Sequence, residues 1–113
     1  MAESCIFCRI AHGEIPAQMV ANNKEIVAFR DLNPQAPVHI LILPKKHVAS
    51  LDDATDAQLL GQMMSLATAI ARQEKIAKTG YRTVINTGKN GGQSVAHLHM
   101  HLLGGREMTW PPG

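Results

Sequence analysis

Between residues 94 and 105 the chain reads SVAHLHMHLLGG, with His97, His99 and His101 at alternate positions and Leu98, Met100 and Leu102 among them. Period-two alternation is the mark of an extended strand, because successive side chains leave a strand on opposite faces. The segment predicts a strand over 94–103. One face carries Leu98, Met100 and Leu102 and needs a core to cover it. The other carries Val95 and three of the chain's six histidines.

The remaining sequence supplies partners for that strand. SCIFCRIA (4–11) reads as a short helical turn, with Ser4 as N-cap candidate and Gly13 as its stop. Residues 17–23 and 25–31 read as strands joined at Asn22-Asn23. The prolines of 33–37 make a loop, and VHILILP (38–44) reads as a strand ended by Pro44. Residues 52–78 form the one long helix, with Asp52, Asp53 and Thr55 as cap candidates and Thr79-Gly80 as its stop. It bears two apolar stripes, Leu59-Met63-Leu66-Ile70 and Leu60-Met64-Ala67-Ala71. Their breadth fits a wide core face or a contact with a partner subunit. A strand over 81–87, a turn at 88–92 and an irregular tail at 104–113 complete the chain. The expectation is one α+β domain over residues 1–113. It has a mostly antiparallel five-stranded sheet, one long helix and one short one.

Charge narrows the function. The net charge is +2, and Lys45-Lys46 is the only adjacent basic pair. A nucleic acid polymer needs a clustered basic face, so none is expected as partner; a small anion is compatible. No apolar run approaches the roughly 20 residues of a membrane span. MAESCIFC lacks the pattern of a secretory leader, so a cytoplasmic location is expected. There, Cys5-x-x-Cys8 suits free thiols, a redox pair or metal ligands better than a structural disulfide.

The histidine face admits three chemistries. It could be a polar outer surface. It could bind metal, although on a straight strand His97 and His101 stand roughly 13 Å apart, too far for one ion to bind all three rings. Or the rings could divide a phosphoryl transfer. Neutral imidazole is a nucleophile, and with an unperturbed pKa of about 6.5 it is mostly neutral at pH 7. One ring would attack phosphorus while a neighbour on the same face donates to the phosphoryl oxygens. The glycine-rich GKNGGQS (88–94) just before the strand could cradle an anion with backbone N–H groups, or serve only the turn.

His97-Leu-His99-Met-His101-Leu-Leu matches the pattern His-φ-His-φ-His-φ-φ, where φ is apolar. Together with IFCRI and GEIP (6–16), AFRDLNPQAPVHILILPKKH (28–47), GYRTVINTGKNGGQSVAHLHMHLLGGR (80–106) and WPPG (110–113), it resembles the histidine-triad (HIT) proteins of the Hint branch. The resemblance implies a homodimer that binds purine nucleotides such as AMP or GMP and hydrolyses purine nucleoside phosphoramidates without a catalytic cofactor. It implies His99 as nucleophile and His101 as phosphate ligand. The His97 carbonyl would hold the His99 ring, with His39 behind the triad. Asp31 would bind the ribose, with Ile6, Phe7, Ile15, Phe29, Leu32 and Leu41 around the base. Asn86, Gly92, Gln93, Ser94, Val95 and Met100 would complete the nucleotide site, and Trp110 would reach toward the partner subunit's site. In some relatives a structural zinc joins the cysteine pair to two histidines, here Cys5, Cys8, His47 and His97. Each assignment has a plainer rival. Asp31 before Asn33-Pro34 could cap a turn, Phe29 and Leu41 could be core, and His39 could be a satisfied core histidine. The alternatives within and beyond the family are a dinucleoside polyphosphate hydrolase, and a nucleotide sensor or dimeric scaffold.

Overall fold

A computed structural model describes residues 4–113. Five strands, β1 (Met19–Asn22), β2 (Ile26–Arg30), β3 (Val38–Pro44), β4 (Tyr81–Val84) and β5 (Met100–Gly104), form one sheet in the order β1-β2-β3-β5-β4. Every adjacent pair is antiparallel. Two α-helices, α1 (Ile6–Ala11) and α2 (Ala57–Gln73), flank it. Among the described residues, no helix is long and apolar enough to cross a membrane.

The sheet separates two apolar clusters, and strand alternation decides which residue joins which. Ile26, Ala28, Ile40, Ile42, Met100 and Leu102 pack with Leu98 against Leu59, Met63, Ala67, Ile70 and Ala71 of α2. Val27, Phe29, Leu41 and Leu43 pack on the opposite side against Phe7, Cys8, Ile10 and Ala11 of α1. Burying each such aliphatic side chain contributes roughly 1.5–3 kcal/mol. In the expected α2 stripes, Leu59, Met63 and Ile70 are core, whereas Met64 is 46% exposed. Leu60 and Leu66 pack at the edge of the core.

The structure corrects several expected boundaries. Residues 94–99 are not strand. Pairing of β3 with β5 ends at Ile42↔Met100, so the preceding residues have no ladder to join. Residues 95–97 form a bend instead, and Leu98 donates its N–H to Val48 O at 2.7 Å. The connection from β4 to β5 is therefore a long loop, although the strands it joins are neighbours. The helix expected over 52–78 is split. Leu51–Asp53 is a single 3-10 turn, and α2 starts only after Asp56, whose carboxylate accepts from the N–H groups of Gln58 and Leu59. It ends at Gln73, with Lys75 at φ 63°. The N-cap of α1 is Cys5 rather than Ser4: its Sγ accepts from Cys8 N–H at 3.3 Å.

Candidate active site

Alternation survives the loss of regular strand geometry. Leu98, Met100 and Leu102 point toward α2, while His97 and His99 turn to the α1 side. His97 and His99 are buried, and His101 is half-buried. Among the described residues, every buried side-chain nitrogen and oxygen has a hydrogen-bond partner. Those partners fix where each imidazole proton sits.

His99 Nδ1 lies 2.7 Å from the His97 carbonyl oxygen. A carbonyl only accepts, so Nδ1 carries the proton, and the neutral ring keeps its lone pair on Nε2. The Phe7 ring meets His99 edge-on, with centroids 4.9 Å apart at 80°. Backbone carbonyl and aromatic edge together fix the ring's orientation.

His101 is set by a longer chain. The backbone N–H of Gln35 donates to His39 Nδ1 at 3.0 Å. That proton can only be given, so neutral His39 carries its own on Nε2. His39 Nε2 lies 2.9 Å from His101 Nδ1 and donates to it. His101 Nδ1 is thereby an acceptor, and its Nε2 bears a proton free to serve as donor. Burial is the main cause holding His101 down to about 4, with the neighbouring His99 and His39 adding to it. His39 is lowered too, chiefly by burial, against the pull of Asp31. Two adjacent rings therefore present opposite tautomers, one a bare nitrogen and one an N–H.

Asp31 caps a turn and also faces His39. Its Oδ1 accepts from Asn33 N–H at 2.8 Å, an Asx turn, and its Oδ2 lies 3.4 Å from His39 Nε2. Asp31 also lines a cavity of about 200 Å³ with Ile6, Phe7, Ile15, Phe29, Leu32 and Leu41. Every residue expected around a base lies there. Ile10, Pro16, Ala17 and Arg30 line it as well and had no distinguishing sequence signal. Leu32 stands at 96% exposure and Ile6 at 50%, two large apolar groups at the cavity wall with nothing over them. A depression of about 750 Å³ between the β1–β2 turn and α2 is larger. It is open to solvent and holds none of the histidines, so the smaller cavity is the better candidate.

The loop preceding the triad braces itself. Gln93 uses its whole amide: Nε2 donates to Ala49 O at 2.7 Å and Val95 O at 2.9 Å, and Oε1 accepts from Gly88 N–H at 3.0 Å. Asn86 Nδ2 donates to Gly91 O at 2.8 Å. A Cβ on Gly91 would strike the Thr87 backbone, so only glycine fits there, and Gly92 stands at φ 78°. Ser94 and Val95 line a separate cavity with Cys5 and His47. Met100, expected in the nucleotide site, has its side chain in the α2-side core instead, because β5 alternation turns it away. Trp110 is 82% exposed in the tail.

A second cluster lies behind the triad. Cys5, Cys8, His47 and His97 bring one ligand atom each to within 4.8 Å of one another. Cys8 Sγ is 3.2 Å from His47 Nδ1, and both sulfurs lie 3.3–3.4 Å from His97 Nδ1. His97 Nε2 donates to Pro44 O at 2.8 Å, which leaves Nδ1 bare and facing the sulfurs. The edges of a tetrahedron with Zn–N and Zn–S bonds are roughly 3.3–3.8 Å, so the donor set and spacing fit a tetrahedral divalent ion. Burial and the Cys5 thiol push the Cys8 thiol up to about 11; a bound cation reverses that preference by stabilising thiolate. Asp31, His39 and His101 also gather three ligand atoms. There the Gln35 N–H keeps His39 Nε2 protonated, a poor arrangement for a cation.

The family model of the HIT domain matches residues 12–108. The chain belongs to the HIT family. It is 49% identical over 110 residues to the purine nucleoside phosphoramidase of Escherichia coli K12, covering 96% of this chain and 92% of that protein. A HIT family hydrolase from Legionella pneumophila superposes with a TM-score of 0.95 at 53% identity, covering 97% of this chain and all of the other. A zinc-bound histidine triad family protein from Mycobacterium smegmatis superposes at 0.83 with 30% identity, covering 94% and 78%. Within this HIT chain the triad is His97, His99 and His101, and the three rings have different occupations: one toward the cysteines, one toward Phe7, one toward His39.

Proposed function

We propose that this HIT protein is a hydrolase that cleaves the P–N bond of purine nucleoside 5′-phosphoramidates, with His99 as nucleophile. The observation that carries the reading is the 2.7 Å bond from His99 Nδ1–H to its own chain's carbonyl at His97. It leaves the opposite nitrogen bare, as an in-line attack on phosphorus requires. The phosphoramidase activity named for the E. coli relative supports the same substrate class.

In this mechanism the purine occupies the cavity under α1. At about 200 Å³ it is smaller than the roughly 300–1,000 Å³ of sites that enclose a whole drug-sized ligand. It suits a base, with the ribose at Asp31 and the phosphate outside, near the triad. His99 Nε2 bonds to phosphorus as the P–N bond breaks, and the amine leaves with a proton taken from solvent, which the attacking water of the second step returns. His101 Nε2–H hydrogen-bonds a phosphoryl oxygen whose negative charge grows in the transition state. Water then attacks phosphorus, the N–P bond breaks, and the nucleoside monophosphate departs with His99 restored. Asn86, Gly92, Gln93, Ser94 and Val95 shape the phosphate side.

The four-residue cluster is assigned to a structural zinc, by its donor set and by the zinc-bound M. smegmatis relative. All four positions of such an ion are taken by side chains, so it stabilises rather than activates water. Homodimerisation is assigned from the resemblance, and the exposed Met64 and Trp110 are apolar groups it would cover.

The test is amine release from an adenosine 5′-phosphoramidate, followed for the wild type and for His99→Gly. Turnover abolished by the substitution, with nucleotide binding retained, supports the reading. Full turnover by His99→Gly refutes the nucleophile assignment, and no turnover by the wild type leaves a binding protein.

A further inference from the structure

α1 contributes to two places at once. Ile6, Phe7 and Ile10 wall the cavity, while Cys5 and Cys8, from the same turn, face His47 and His97. A helix of six residues is far below the about 12–15 needed for independent stability in water. Its position is set by what it packs against and by what ties its cysteines.

The cluster is also wired to the triad. His97 commits its imidazole to the cysteines and Pro44 O, and its carbonyl to His99 Nδ1–H. Phe7 contacts both rings edge-on, His97 at 6.1 Å and His99 at 4.9 Å between centroids. The segment carrying His47 is bound to the triad segment by Leu98 N–H to Val48 O and by Gln93 Nε2 to Ala49 O, both 2.7 Å. One ion held by these four side chains would pin α1, the 44–49 segment and His97 to one another. Those same three segments hold Phe7, the loop at Gln93 and His99.

We infer that a divalent ion at Cys5, Cys8, His47 and His97 and a nucleotide in the α1 cavity bind with positive coupling, His97 being the positioning residue between them. The inference rests on the cavity being the nucleotide site. An ion that fixes α1 removes in advance part of the ordering cost the nucleotide would otherwise meet. Coupling of binding free energies is reciprocal, so AMP must strengthen the ion's affinity by the factor by which the ion strengthens AMP's.

The experiment measures both arms without relying on turnover. AMP affinity is determined by calorimetry for the zinc-loaded and the chelator-stripped protein, and zinc affinity by chelator competition with and without saturating AMP. The expected factor is about tenfold in each direction, within the usual range of such couplings. Factors within twofold of unity, with AMP bound by both forms, overturn the coupling and leave the nucleotide site standing. Failure of AMP to bind either form overturns both. If circular dichroism shows the stripped protein unfolded, the cobalt-substituted protein decides. Its visible ligand-field bands should shift when AMP is added, and an unchanged spectrum at saturating AMP overturns the inference.

Discussion

His39 Nε2 stands 2.9 Å from His101 Nδ1, and the bond runs from β3 to β5 behind the triad. It makes the tautomer of His101 a consequence of the Gln35 backbone rather than of His101's own surroundings. Substituting His39→Ala removes the donor and lets the His101 proton move to Nδ1, away from the position proposed for the phosphate. Loss of an orienting partner of this kind costs roughly tenfold to a hundredfold. The fall should appear in kcat on an adenosine phosphoramidate more than in KM. His39→Gln, whose amide can still donate, should recover part of it. Equal rates for wild type and His39→Ala would remove His39 from the mechanism.

The same two rings make stability depend on pH. Both are lowered, mainly by burial, His101 to about 4. In the unfolded chain they return to about 6.5. Between those values the unfolded state binds protons the folded state refuses, so stability rises with pH across that window. The contribution is whole above pH 6.5 and is lost as pH falls toward 4. Thermal midpoints should decline from pH 7.5 to 4.5. The double substitution His39→Gln/His101→Gln should flatten the decline; an unchanged slope would assign the effect to other groups.

What the sequence made legible follows from what is local. VHILILP was a nearly continuous apolar run bounded by Pro44, and it is β3 to the residue. Alternation also placed Leu98, Met100 and Leu102 on one side, because side-chain parity persists through a short bend. The strand expected at 94–99 failed for a non-local reason: pairing with β3 ends at Ile42 and pairing with β4 at Val84. Four cap-forming residues, Asp52, Asp53, Thr55 and Asp56, precede α2, and no local signal chooses among them. In the site, the rings of the triad were legible as a set. The resemblance named the His97 carbonyl as the partner of the His99 ring, and the structure has that bond. The protons of His97 and His101 were not legible, since Pro44 O and Gln35 N–H are backbone groups common to every residue.

Phe7 joins the cavity wall to the His99 ring. It contacts Phe29 at 5.9 Å and 71° as well as His99. Phe7→Ala should lower stability by about 3 kcal/mol, the low end for a truncated aromatic, because the side already borders a cavity. It should also free the His99 ring to rotate, so kcat and nucleotide affinity should both fall. Phe7→Leu restores bulk without the aromatic edge and should recover stability more than kcat. Urea titration and steady-state kinetics on the two variants separate packing from ring orientation, and parallel recovery of both would mean that bulk alone matters.

Gln93 holds the glycine-rich loop with three hydrogen bonds, to Gly88, Ala49 and Val95. In a partly exposed setting each contributes about 0.5–1.5 kcal/mol. Gln93→Ala loses all three, so about 1.5–4.5 kcal/mol of stability should go with it. Gln93→Glu keeps the acceptor for Gly88 but sets a carboxylate against two carbonyl oxygens, so it should be no better than alanine. The loop contains Lys89, exposed between the residues that Gln93 clamps. Trypsin should therefore cleave after Lys89 faster in both variants than in the wild type under native conditions. Unchanged cleavage at Lys89 would mean that Asn86, bonded to Gly91 O, braces the loop by itself.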